Sequence, residues 1–209
     1  MKGNLIIITS PSGGGKGTII RELLRTVTAL EYSVSLTTRA PRPGEVDGRE
    51  YQFVTLEEFN AYRDHGGFLE FAEVHGNFYG TSGERIIRQT QGGKDVILEI
   101  DVQGAAEVLS NVPDAISIFI LPPSYEALAD RLRSRNTESP EQLALRLRNS
   151  VREVCRYTEF EYVVINDRLA EAVDRVRSII LGERQRRTRQ SEAIQAILDS
   201  FDGANISTS

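Results

Sequence analysis

Apolar residues fall in short dense runs, separated by stretches where they recur every three or four positions. Leu5-Ile6-Ile7-Ile8-Thr9 is unbroken, rich in β-branched residues and closed at once by Ser10-Pro11-Ser12, which predicts a buried strand. Val96–Ile100, Ile116–Leu121 and Tyr162–Ile165 have the same character and are read as buried strands too. Helical spacing predicts a helix over Lys16–Arg25, with Ile19, Ile20, Leu23 and Leu24 on one stripe. Similar stripes cover roughly Gln103–Leu109, Ser124–Ser134, Pro140–Arg156 and Leu169–Leu181. Strands alternating with helices predict an α/β chain, a mostly parallel sheet covered on both faces.

Two stretches break this rhythm. From about Ser33 to Gln91 the chain is rich in glycine, aromatic and charged residues, with short strand-like pieces at Tyr51–Val54 and Phe68–Phe71; an inserted α+β lobe is expected. From Ser134 to about Arg148, arginines flank Asn136-Thr137-Glu138-Ser139. Both inserts should project from one edge of the sheet, the edge where open α/β folds bind ligands.

A length of 209 residues suits one domain carrying such inserts. Hydrophobic residues at 40% and charged residues at 26% allow a sizeable core without disulfide staples. No apolar run approaches the roughly 18 residues of a membrane span, and the first run is too short for a signal sequence. Secretion and membrane insertion are not expected. The single cysteine, Cys155, excludes an intramolecular disulfide and fits a reducing compartment. A net charge of −5 argues against a general nucleic-acid binder. His65 and His75 have no zinc spacing to Cys155 and read as ordinary polar residues. The basic run Glu183–Arg189 reads as a solvated helix face, and the small polar tail Asn205–Ser209 should fray.

Candidate chemistry begins directly after the first strand. Ser12-Gly13-Gly14-Gly15-Lys16-Gly17-Thr18 lies between a predicted strand and a predicted helix. Glycines let backbone N–H groups converge on phosphate oxygens, and the helix start adds positive partial charge. Lys16 supplies a point charge for the β- and γ-phosphates. The fit to the P-loop pattern is imperfect: Ser10 replaces its first glycine, and Gly17 stands where a hydroxyl residue usually contacts a metal ion. Direct Mg²⁺ ligation by the loop is therefore not expected.

A second anion site is expected in the lobe. Arg39 and Arg42 stand three apart in Thr37-Thr38-Arg39-Ala40-Pro41-Arg42-Pro43-Gly44-Glu45, stiffened by proline. Two guanidinium forks aimed at one spot suit a dianionic monophosphate, and Tyr51 and Tyr79 offer hydroxyl donors.

With these motifs goes a resemblance. From about Asn4 to Ile180 the chain resembles the bacterial guanylate kinases, which are P-loop nucleoside monophosphate kinases. The matching residues are Ser35–Glu45, Gly48–Phe53, Phe68-Leu69-Glu70, Asn77–Thr81, Leu98–Gly104, and the arginines Arg131, Arg135 and Arg146. The resemblance implies a P-loop three-layer core with a parallel sheet (1–32, 92–123 and 153–209), a GMP-binding lobe (33–91) and a helical lid (124–152). It implies transfer of the γ-phosphoryl of ATP to GMP, with Mg²⁺ accompanying ATP, in a cytoplasmic enzyme of purine nucleotide metabolism. ATP would lie on residues Ser12 to Thr18. Arg39, Arg42, Tyr51 and Tyr79 would hold the GMP phosphate, and Ser35, Glu70, Thr81 and Asp101 would read guanine. Lys16, Arg42, Arg135 and Arg146 would serve the transfer, with Arg131 a further donor-side candidate.

Guanine offers N1–H and an exocyclic amino group, from both of which the Glu70 carboxylate can accept; adenine would meet it with a lone pair. Glu99 and Asp101 are open as water-mediated metal contacts, and Asn166 as an adenine contact. Two other readings stand beside this one. Guanylate-kinase-like scaffold modules bind phosphopeptides, but a degraded P-loop would be expected of them. An adenylate kinase would share Gly-Lys-Gly-Thr, but not the Arg39–Arg42 lobe or Glu70.

Overall fold

A computed structural model describes residues 2–74, 76–134 and 140–206. In chain order its elements are β1 (Leu5–Thr9), α1 (Lys16–Thr26), β2 (Leu30–Tyr32), β3 (Leu36–Thr37), β4 (Gln52–Phe53), α2 (Leu56–Asp64), β5 (Phe68–Val74), β6 (Asn77–Ser82), α3 (Gly83–Gln91), β7 (Asp95–Glu99), α4 (Val102–Asn111), β8 (Ile116–Leu121), α5 (Tyr125–Ser134), α6 (Pro140–Val154), β9 (Tyr162–Ile165), α7 (Leu169–Arg184) and α8 (Ser191–Ile206).

The main sheet has the order β2-β7-β1-β8-β9, and all its pairings are parallel. The run that opens the chain therefore takes the central place. Ile6 and Ile8 join a core with Ile19, Leu23, Val176 and Ile180 of α1 and α7. Leu5 and Ile7 join the opposite core with Ile86, Val102, Ala105 and Val108 of α3 and α4. Being buried on both faces is why the run shows no polar alternation.

The edge strand β9 departs from expectation. Only Val164 is buried, while Val163 and Ile165 are exposed. An apolar run carries no mark of whether its strand lies inside the sheet or at its edge.

The basic run after residue 183 is also not a solvated helix face. The Arg184 guanidinium donates to the buried Asp95 carboxylate at 2.7 Å and to the Thr28 carbonyl at 2.8 Å. Arg186 donates to buried Glu183 at 2.9 Å, and Arg189 to the Asp114 carbonyl at 2.6 Å. Asp95 also accepts from the Asn4 backbone N–H at 2.7 Å and its side-chain amide at 2.9 Å. The end of α7 is thereby clamped to the start of the sheet. Helix α8 continues through Ile206, so Asn205 and Ile206 are helical; residues 207–209 of the expected frayed tail lie outside the described residues.

Between β2 and β7 a second sheet forms, in the order β4-β3-β6-β5. A capping box starts α2: Thr55 Oγ1 accepts from the Glu58 N–H at 3.2 Å, and Glu58 accepts from the Thr55 N–H at 2.7 Å. Phe59 is fully buried and stacks on Phe68 with ring centroids 4.5 Å apart, fixing α2 to the sheet. His65 is exposed at the end of α2, and His75 lies outside the described residues.

Asp95→Ala would leave Arg184 and both Asn4 donors without their acceptor. Breaking such a buried pair should cost about 3 kcal/mol or more in urea unfolding. The apparent affinity for nucleotide should not change.

Candidate active site at the carboxyl ends of the strands

The carboxyl ends of β1, β7, β8 and β9 converge on one turn, Ser10–Lys16. Gly13 and Gly15 take φ of 87° and 91°, in the region that favours glycine. The space is closed to side chains as well. A Cβ at Gly15 would lie 2.4 Å from the Asn166 side-chain nitrogen, and one at Gly13 would lie 2.9 Å from the Leu132 side chain. Asn166 Nδ2 donates to the Gly14 carbonyl at 2.9 Å. The turn is thus gripped from β9 and from α5. Its Lys16 opens α1 and lies 3.4 Å from Glu99, the last residue of β7. Glu99 also accepts from the Tyr32 hydroxyl at 3.3 Å. Burial, and next the Glu99 charge, push the Tyr32 hydroxyl well above its ordinary value, so it stays protonated as a donor.

Beside the turn, a cavity of about 360 Å³ is lined by Gly13, Gly15, Thr18, Arg131 and Asn166. Arg131 donates one guanidinium nitrogen to the Asn166 carbonyl at 2.8 Å. Its other terminal nitrogen is buried without a partner among the described residues. A buried donor left open beside a phosphate-type loop suits an anionic or ribose oxygen.

A second cluster is built on β3, β6 and the loop after β3. The Arg39 guanidinium donates to both Glu45 carboxylate oxygens at 2.9 and 3.0 Å and stands 5.4 Å from the Tyr51 ring centroid. The hydrogen bonds from Arg39, then that from the Arg42 backbone, hold Glu45 below the usual carboxylate range. Tyr51 meets Tyr79 edge-on at 5.7 Å, and burial pushes the Tyr51 hydroxyl up, keeping it a donor. Arg42 is exposed, and its backbone N–H donates to Glu45 at 2.7 Å.

A β-bulge shapes the far wall. The β5–β6 register slips between Phe68 and Glu70, so Glu70 comes to lie opposite Thr81. Leu69 packs against the core beside α4, and its carbonyl accepts from Asn111 at 3.1 Å. Glu70 is thereby turned inward and buried, and accepts the Thr81 hydroxyl at 2.6 Å. The Thr81 proton is thus directed at Glu70 itself, a use that the spacing of the two residues does not reveal. Burial raises the Glu70 carboxyl above its ordinary value against the lowering effect of Thr81, with smaller raising contributions from Glu107 and Asp101. Asp101 is exposed and caps α4, accepting from the Gly104 N–H at 2.8 Å. A Cβ at Gly104 would lie 3.3 Å from Glu70 and 3.5 Å from Asp101, so only glycine leaves both carboxylates undisturbed. Ser35 is half-buried, just before β3.

The family model described as guanylate kinase matches residues 2–183. The chain belongs to the guanylate kinase family. It is 52% identical over 201 residues to the guanylate kinase of Methylobacillus flagellatus, covering 96% of this chain and all of that one. It is 51% identical over 180 residues to that of Dechloromonas aromatica, covering 86% and 89%. The crystal structure of the Anaplasma phagocytophilum guanylate kinase superposes with a TM-score of 0.71 at 33% identity, over 90% of this chain and 89% of that one.

Against this guanylate kinase background, Gly13 and Gly15 of the turn and Thr18 of α1 line one cavity, and Arg39, Tyr51 and Tyr79 come together in a separate cluster. Glu70, Thr81 and Asp101 meet around Gly104. Asn166 directs its side chain to the Gly14 carbonyl, not into open space. Arg146 is itself exposed on α6, and Arg135 lies outside the described residues. Tyr32 belongs to none of the motifs. Its only mark in the sequence is an aromatic ring with a polar tip at the end of the short strand Leu30-Glu31-Tyr32.

Because burial raises the Glu70 carboxyl, its ionisation works against folding. Its contribution is fully present below the ordinary carboxylate value and lost as pH rises through the raised value. Glu70→Gln should therefore melt higher than the parent at pH 8 without ligand. The difference should shrink as pH falls toward 4, as followed by differential scanning calorimetry.

Proposed function

We propose that this chain transfers the γ-phosphoryl group of ATP to GMP, giving ADP and GDP, with the two anion pockets holding donor and acceptor. The observation that carries the base assignment is the buried Glu70 carboxylate, turned inward by a bulge and oriented by Thr81. It can accept from guanine N1–H and the 2-amino group together, and a wrong base would leave those buried groups unpaired. Ser35 would donate to O6, and Asp101, which shares the surroundings of Gly104 with Glu70, would be a second acceptor.

The remaining roles follow from charge. Backbone N–H groups of Ser12 to Thr18 and the Lys16 ammonium hold the ATP phosphates. Arg39, Arg42, Tyr51 and Tyr79 hold the GMP phosphate, and Arg39 exchanges Glu45 for the ligand. A GMP phosphate oxygen attacks the γ-phosphorus, the bond to the β–γ bridging oxygen breaks, and ADP leaves. No side-chain nucleophile is needed, so the protein's work is alignment and neutralisation of charge. Arg135 and Arg146 of the lid would serve the transferring group, and Arg131, with its open buried donor, the ATP side.

Among the described residues, no cluster of three or more acidic, histidine or cysteine side chains forms a resident metal site. Glu99 lies 3.6 Å from where a Cβ at Gly17 would stand, so a carboxylate lines the place of the missing hydroxyl. That donor set fits Mg²⁺ arriving with ATP and held through water by Glu99, and the ion would offset phosphate charge. The pool of free nucleotides on which such an enzyme acts is cytoplasmic.

Lys16→Ala should keep the fold but lower kcat about 100-fold or more, since a charge on the transferring phosphates is lost. Thermal melting and coupled ADP detection check both statements.

Base choice is the sharper test. The parent should prefer GMP to IMP, which lacks the 2-amino group, and IMP to AMP, which lacks both donors. Glu70→Gln should lower kcat/KM for GMP by roughly 2–4 kcal/mol in transition-state terms, with a smaller loss for IMP. A parent that prefers AMP would overturn the reading. Equal losses on all three nucleotides would limit Glu70 to supporting the lobe.

A further inference from the structure

Helix α6 touches the phosphate loop at a point no motif marks. The Ser12 backbone N–H donates to the Glu153 carboxylate at 3.0 Å. The Ser150 hydroxyl lies 3.3 Å from the Ser12 carbonyl, and 2.8 Å from the carbonyl of Arg146 on its own helix. The N–H and the carbonyl of one loop residue are therefore both met by residues of α6, and Ser150 is fully buried in doing so. Arg146, Ser150 and Glu153 stand four and three residues apart, which puts them on one face of the helix.

We infer that Glu153, with Ser150, is a positioning residue that latches α6 to Ser12 of the phosphate loop, setting where Arg146 stands relative to the ATP phosphates. The inference rests on the phosphoryl-transfer reading for what Arg146 does. The latch itself rests on the geometry alone. A carboxylate accepting from a backbone N–H makes a charge-assisted bond, stronger than a neutral one. Its direction also matters. The Ser12 N–H and carbonyl belong to successive peptide groups, so contacts to both hold the helix at two points of the loop backbone. An arginine two turns up the same face is then held in register with the loop. The Glu153 carboxylate also borders a cavity of about 330 Å³ with Asp101, Asn149, Arg152 and Arg156. The latch thus lies between the loop and the start of α4, where the acceptor site begins.

Four variants of the full chain test this: Glu153→Ala, Glu153→Gln, Arg146→Ala, and Glu153→Ala combined with Arg146→Ala. Glu153→Ala should lower kcat about tenfold or more, the scale of one charged hydrogen bond, with KM for GMP nearly unchanged. Glu153→Gln keeps an acceptor oxygen and should recover most of the rate. In the Arg146→Ala background, Glu153→Ala should add little, because the arginine it positions is gone. Hydrogen–deuterium exchange without nucleotide gives a readout independent of activity. Glu153→Ala should speed exchange in the peptide around Ser12 and in the second half of α6 together, with a melting temperature that shows the protein folded. Unchanged exchange at Ser12 would overturn the latch whatever the rates. So would equal damage by Ala and Gln, or fully independent effects of Glu153→Ala and Arg146→Ala. If both segments loosen together but the parent does not phosphorylate GMP, the latch stands and the function reading falls.

Discussion

The turn between β1 and α1 is the constraint on which the rest of the structure depends. Its backbone must pass through the left-handed region at Gly13 and Gly15, and it must do so in a space without room for side chains. Later parts of the chain close on it in turn: Glu99 from β7, Leu132 and Arg131 from α5, Glu153 and Ser150 from α6, Asn166 after β9. Backbone N–H groups can serve as a phosphate cradle only when held still, since reorganising them during the reaction would give back what they contribute. The parallel sheet supplies that rigidity by ending several buried strands at one place.

A second regularity is that two cations of the candidate site have carboxylate partners. Lys16 stands against Glu99, and Arg39 against Glu45. Both cations remain partly accessible, so the pairs can be exchanged for phosphate without uncovering a fully buried charge. Glu70 is the opposite case. It is buried with a hydroxyl donor but no cation, which leaves its acceptor capacity for neutral N–H groups. Under the proposed function the same acidic residue type would serve charge exchange in one place and base reading in the other, with environment setting the difference.

Much of this was legible in the sequence. The strands β1, β7 and β8 stand where unbroken apolar runs occur, because burial on both faces leaves no other pattern. The glycine loop stands where strand gives way to helix, and Arg39, Tyr51 and Tyr79 come together as their motifs suggest. What the sequence hid were contacts between distant positions. Arg184 appeared as one more charge in a basic run, yet it completes a buried pair with Asp95. Glu153 had no motif, and Tyr32 and Asn166 act through partners that only the sheet order brings near. The bulge at Leu69 was equally silent, since one extra residue in a strand leaves the composition unchanged. Helices α2 and α3 are short and polar, and their stripes were lost among the lobe's glycines and charges.

The clamp between Asp95 and Arg184 also has a meaning in time. The ribosome releases β1 first, but that strand finds its neighbours only when β7 and β8 have been made. At roughly 5–20 residues per second, the most apolar strand waits on the order of ten seconds without a partner. Asp95 then waits in its turn, because its cation, the last residue of α7, follows 89 residues later. A chain that terminates early therefore holds a carboxylate placed for burial but lacking its counter-charge.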